Sequence, residues 1–98
     1  MPFVLVHRKT SEIYACRLIN NYDLEYYGTK FWPDQDSAVQ EAHAFLAFRG
    51  IESPHEWKIA ELDEHRLKMC NVKLSNDPSK KLFLGVEGQI SAIRFENR

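Results

Sequence analysis

Apolar residues open the chain in two short runs, Phe3-Val4-Leu5-Val6 and Ile13-Tyr14-Ala15-Cys16-Arg17-Leu18-Ile19, with the polar Lys9-Thr10-Ser11-Glu12 between them. Both runs are rich in β-branched and aromatic residues, and the pattern predicts a β-hairpin. A loop centred on Thr10 and Ser11 sets His7 opposite Tyr14, Leu5 opposite Cys16 and Phe3 opposite Leu18. The turn-forming Asn20-Asn21-Tyr22-Asp23 follows, and Leu24 to Trp32 then offers a third, aromatic strand, weakened at Gly28 and ended by Pro33. Strands one and two are apolar on both faces, so each face requires a cover.

The period changes after Pro33. Asp34 to Ser37 supplies cap residues, Ser37 and Gln40 have capping-box spacing, and Gly50 stands where a helix stops, so a helix is expected over Ser37 to Arg49. On it Ala38, Val39, Ala42, Phe45 and Leu46 form the stripe facing the sheet. Gln40, Ala44 and Ala47 point away, with Glu41, His43 and Phe48 at the borders. The outward side is thus poor in charge. Alanine's helix propensity accounts for Ala44 and Ala47 by itself, while with Phe48 they also make a surface suited to another chain.

Four further runs read as strands: Trp57 to Leu62, Leu67 to Leu74, Leu82 to Val86 and Ile90 to Phe95. Polar turns separate them, with Glu61 to Arg66 as a solvated tip and Glu87-Gly88 as a tight hairpin that pairs Val86 with Gln89. The expected order is β-β-β-α-β-β-β-β. Such segregation of strands and helix predicts a single α+β domain over residues 1–98, with one α-helix packed on a mainly antiparallel sheet. One helix covers one sheet face. The other must be closed by loops, by a second sheet layer or by a second copy of the chain.

Composition narrows the class. With 98 residues, 44% hydrophobic and 28% charged, the chain is an ordinary globular sequence able to fold without staples. Cys16 and Cys70 sit among apolar neighbours and read as free thiols, which fits a cytoplasmic setting. No run approaches a membrane span, and the opening residues do not make a signal peptide. Net charge is −1, but it is unevenly spread. Residues 34–64 carry two Lys/Arg against eight Asp/Glu, and residues 65–98 carry seven against three. The two sections either pair across the fold or make oppositely charged faces that favour self-association or an acidic partner.

Candidate chemistry is sparse. His7, His43, His55 and His65 are scattered, without the short spacings of a metal site, and no motif for a cofactor is present. Cys16 and His7 share a face of the first hairpin, so a small catalytic pocket with Tyr14 and Arg17 is one reading, although packing there raises a thiol's pKa. The carboxylates Asp34 and Asp36 suit a helix start, and Glu61, Asp63 and Glu64 suit a hairpin tip. The aromatic run Tyr22, Tyr26, Tyr27, Phe31 and Trp32 is the most distinctive feature. With Arg17, Lys30 and the C-terminal Arg66, Lys68, Lys73, Lys80 and Lys81, the residues Tyr26, Tyr27 and Trp32 have the makings of a single-stranded nucleic-acid site. The same rings serve equally as core or interface anchors. Taken together, the sequence points to a non-catalytic interaction or regulatory module that acts as a homodimer, with nucleic-acid binding as the alternative and a small enzyme third.

Overall fold

The computed structural model describes residues 1–95. It is a mixed α and β structure with a mainly antiparallel sheet, but it has two helices, one on each face. Strands β1 (Phe3–His7), β2 (Glu12–Ile13), β3 (Ala15–Ile19), β4 (Glu25–Thr29) and β5 (Phe31–Trp32) precede helix α1 (Gln35–Phe48). A 3-10 turn (Pro54–Glu56), β6 (Trp57–Glu61), helix α2 (Glu64–Leu74), β7 (Lys80–Leu84) and β8 (Ile90–Arg94) complete the order.

Strand β1 is central. It pairs antiparallel with β6 along one edge, from Phe3 opposite Glu61 to His7 opposite Trp57. Its other edge is shared by β2, through Val6 and Ile13, and by β5, through Phe3 and Trp32. From β2 the sheet runs on to β7 and ends at β8, while β3 and β4 leave it as a two-stranded ribbon. The first hairpin is therefore registered two residues away from expectation, with the Tyr14 N–H donating to the Leu5 carbonyl. A shift of two keeps Leu5 and Tyr14 on one face, but β3 leaves β1, so Cys16 and Leu18 pair with Gly28 and Tyr26 instead of Leu5 and Phe3. The third strand also divides, into β4 and β5, because the chain passes from β3 to β1 at Lys30.

Alternation along β1 distributes side chains to two cores. Val4 and Val6 pack with Ile13, Leu62, Cys70, Leu74 and Leu82 under α2. Leu5 packs with Tyr14, Trp32, Ala38, Ala42 and Leu46 under α1. Each fully buried leucine among these contributes about 1.5–3 kcal/mol relative to an exposed one.

Residues 67–74 are helix, not the expected strand, and Glu61 to Arg66 is the start of that helix, not a solvated hairpin tip. Asp63 caps α2, its Oδ1 accepting the Arg66 N–H at 2.7 Å. That bond holds the Asp63 carboxyl below its ordinary pKa. Leu67, Cys70 and Leu74 then recur at helical spacing toward the sheet, and tertiary burial outweighs the strand propensity of Val72. The second sheet face is thus sealed by the chain's own helix. The expected need for another chain to cover that face falls away.

Helix α1 begins two residues before the predicted start because Asp34, not Ser37, is its cap, accepting from the Ser37 N–H at 2.7 Å. Its end follows expectation. Gly50 adopts φ +81°, the Gly50 N–H bonds to the Ala47 carbonyl and the Ile51 N–H to the Leu46 carbonyl. This paired closure needs a left-handed residue, and glycine takes that shape at least cost. Val39 is 62% exposed and so does not belong to the packed stripe. The last hairpin also differs: Gly85 pairs with Gln89 around a three-residue loop, and Gly88 takes φ +87°.

The acidic and basic sections do not neutralise each other across the sheet. Among the described residues their one shared ion pair is the local Arg66–Asp63, and Arg94–Asp77 lies within the C-terminal section.

Candidate interaction site

Every backbone N–H and C=O needs a partner, and strand edges are where partners run short. In an antiparallel pair alternate residues bond inward and the rest point outward. On β4 the outward residues include Tyr27 and Thr29. The Tyr27 N–H donates to Asn76 Oδ1 at 2.7 Å, and the Thr29 N–H donates to Asn71 Oδ1 at 3.0 Å. Two side-chain amides from α2 and its C-terminal turn thus take the place of a neighbouring strand. Asn76 does so from φ +57°, a shape asparagine tolerates better than most residues. On β3 the outward Arg17 carbonyl accepts from Arg49 Nη2 at 2.9 Å.

The other edges differ. Strand β6 has Lys58 within it and Glu61 at its end, charges that discourage a further strand. Strand β8 has no charge within it. The Gly85 N–H to Gln89 carbonyl and Phe95 N–H to Ser79 carbonyl bonds fix which residues of the C-terminal strand face β7. Ile90, Ala92 and Arg94 therefore direct their backbone groups away from it, and among the described residues nothing pairs with them. The strand carries no lysine, proline or bulge, and its one charge, Arg94, is at its end, tied to Asp77 at 3.0 Å. Beside this edge a groove of about 610 Å³ runs between α2 and β8, with Met69, Ile90 and Glu87 in its walls. Ile93 is 50% exposed and Phe95 44%, on the sheet face that α1 leaves uncovered.

A second concave region lies between the ribbon and the last turn of α1. It is a cleft of about 570 Å³ lined by Leu18, Ile19, Lys30, Phe45 and Arg49, with the Arg17–Glu25 ion pair at its rim. Lys30 Nζ sits 5.1 Å and Arg49 Cζ 5.4 Å from the centre of the Phe45 ring. Neither cation has a carboxylate partner among the described residues. Phe45 is itself fixed edge-on by Tyr14 and Trp32, each 5.8 Å away.

No protein family, characterised protein or solved structure matches this chain.

Of the aromatic run, Trp32 is 3% exposed, with its Nε1–H directed to Glu41 Oε1 at 3.3 Å, so its ring has no open face for a base. Tyr26 and Tyr27 are half-buried, the Tyr27 hydroxyl donating to the Ala15 carbonyl at 3.4 Å. Of the C-terminal lysines, Lys68 shares a cavity of about 330 Å³ with Phe31, whereas Lys80 Nζ bonds the Lys73 carbonyl and Lys81 lies 5.0 Å from the Phe95 ring centre. Arg17 is the exception, since the fold brings it to the cationic cleft. Ala44 and Ala47 are open to solvent and Phe48 is 89% exposed.

The expected pocket around His7 and Cys16 does not assemble. His7 Nδ1 accepts the Lys9 and Thr10 N–H groups, Nε2 lies 3.4 Å from Glu56, and the ring stands edge-on to Trp57 at 5.0 Å. Burial pushes the Cys16 thiol up, against the opposing pull of Arg49 and Lys30. Burial also holds the Cys70 thiol up at about 11, with the Thr29 hydroxyl easing it slightly. Neither thiol is poised as a nucleophile at neutral pH. Among the described residues no three His, Cys, Asp or Glu side chains gather to hold a metal. No helix is long and apolar enough to cross a membrane.

Sequence reasoning missed the edge and the cleft for one reason. Both depend on which strands end the sheet and on where Lys30 and Arg49, nineteen positions apart in sequence, meet in space. The absence of lysine and proline from Ile90 to Ile93 was the one readable hint.

Proposed function

We propose that the protein is a non-catalytic interaction module that acts as a homodimer, joined edge to edge through β8. The observation that carries this reading is the unpaired backbone row of Ile90, Ala92 and Arg94. A row of alternating donors and acceptors on an antiparallel edge is complementary to itself under a two-fold axis, and such isologous contacts are the commonest basis of homodimers. Pairing about Ala92 sets Ile90 opposite Arg94 of the second copy and uses all three outward residues of each strand. Small side chains at Ser91 and Ala92 let the strands approach. The covered sheet face no longer argues for association, so the reading rests on the edge alone.

Sedimentation from micromolar to millimolar concentration tests it. The expected wild-type result is a dimer. Ala92→Pro removes an outward N–H and no bond to β7, so a folded monomer is expected. Ser91→Lys with Ile93→Lys provides an independent variant, because both side chains are exposed and the pairing sets lysine opposite lysine. A wild-type chain that stays monomeric at millimolar concentration, or dimers unchanged in both variants, overturns the proposal.

A further inference from the structure

The cleft between the ribbon and α1 has a charge pattern that the fold does not explain. Three cations, Arg17, Lys30 and Arg49, stand around it against one carboxylate, Glu25, and that carboxylate is taken by Arg17 at 3.1 Å. Lys30 and Arg49 share one aromatic ring and repel each other across it. Both are held in place: Lys30 lies over Trp32 and Phe45, at 5.0 and 5.1 Å, and Arg49 is fixed by the ring and by the Arg17 carbonyl. Positive groups ordered in advance lose little freedom when an anion arrives, and that is the condition under which a charge contact adds affinity.

We infer that this cleft binds an amphipathic organic monoanion, with its carboxylate between Lys30 and Arg49 and its apolar body along Leu18 and Ile19. The head is assigned by the two unpaired cations. The apolar body is assigned by the side chains of Leu18, Ile19 and Phe45 in the walls. A single negative charge fits better than a phosphate dianion because Glu25 stands at the rim. The cysteine beneath takes no part, since burial keeps Cys16 protonated at neutral pH. This site and the β8 edge use different residues, so either can fail without the other.

Octanoate is the probe, titrated into the labelled wild-type chain and followed through backbone amide resonances, with acetate and inorganic phosphate as separate arms. Saturable shifts confined to Leu18, Ile19, Lys30, Phe45 and Arg49 are expected. Acetate, lacking the apolar body, should bind at least about tenfold more weakly. Lys30→Gln should weaken octanoate by about tenfold or more, while Lys30→Arg retains it. Absent or scattered shifts, a Lys30→Gln variant that binds as well as wild type, or phosphate binding as tightly as octanoate would each overturn the assignment.

Discussion

The ribbon β3–β4 and the hairpin β7–β8 are built alike, each a pair of antiparallel five-residue strands, yet they treat their outer edges in opposite ways. On the ribbon, side chains from both helical segments take up part of the outward backbone: Asn71 and Asn76 accept from β4, and Arg49 donates to β3. On the hairpin, β8 ends the sheet with no such contact among the described residues. Two edges capped at three points by separate side chains show that this fold has the means to protect its strands. The open edge is therefore the better candidate for a surface that meets a partner, and the capped edges for a structural seam between ribbon and helix.

The largest effect expected from this contrast is at β8. Ala92→Pro should weaken dimerisation by at least about a hundredfold, about 2.7 kcal/mol, with helical content and monomer melting little changed, as read by sedimentation and circular dichroism. A change at the seam should do the reverse, lowering stability and leaving assembly intact. Raising pH attacks the seam through Cys70, which packs with Thr29. The unfolded thiol ionises near 9 and the folded one near 11, so the stabilisation is complete below pH 9 and is lost as pH rises toward 11. The loss reaches about 3 kcal/mol at most, and denaturant titration of wild type against Cys70→Ala isolates it. Asn71→Ala leaves the Thr29 N–H without its acceptor and should cost about 1–3 kcal/mol in the same assay. Gly28→Ala is the smallest. A methyl there would stand 2.6 Å from Tyr26 Cε2 and 3.0 Å from Asn71 Oδ1. The ring can shift, so about 1 kcal/mol is expected, in thermal stability alone.

How much of this was legible in the sequence differs by element. The first hairpin, α1 with its glycine stop, and β6 to β8 as strands follow from local pattern. The second helix was hidden because Leu67-Lys68-Met69-Cys70-Asn71-Val72-Lys73-Leu74 supports two periods at once: Leu67, Cys70 and Leu74 fit a helix, and the β-branched and apolar remainder suits a strand. The deciding signal was Asp63, whose cap on Arg66 reads equally as turn chemistry when no packing partner is known. Trp32 was read as a ligand platform for a similar reason, since an aromatic run carries no mark of which ring faces the core.

By itself the sequence determined that β1 must be covered on both faces, because apolar residues occupy both phases of a period-two strand, whereas the same expectation for the second run fails at Ile19, which is 70% exposed. It also determined where α1 starts within two residues and stops, since a cap and a left-handed glycine are local matters. Only the tertiary structure decided that the second cover is α2 rather than another chain, which edge of the sheet stays open, and that Lys30 and Arg49 share a ring. Those outcomes depend on contacts between residues distant in sequence, and the free energy of such contacts is set by burial and alignment that no local pattern contains.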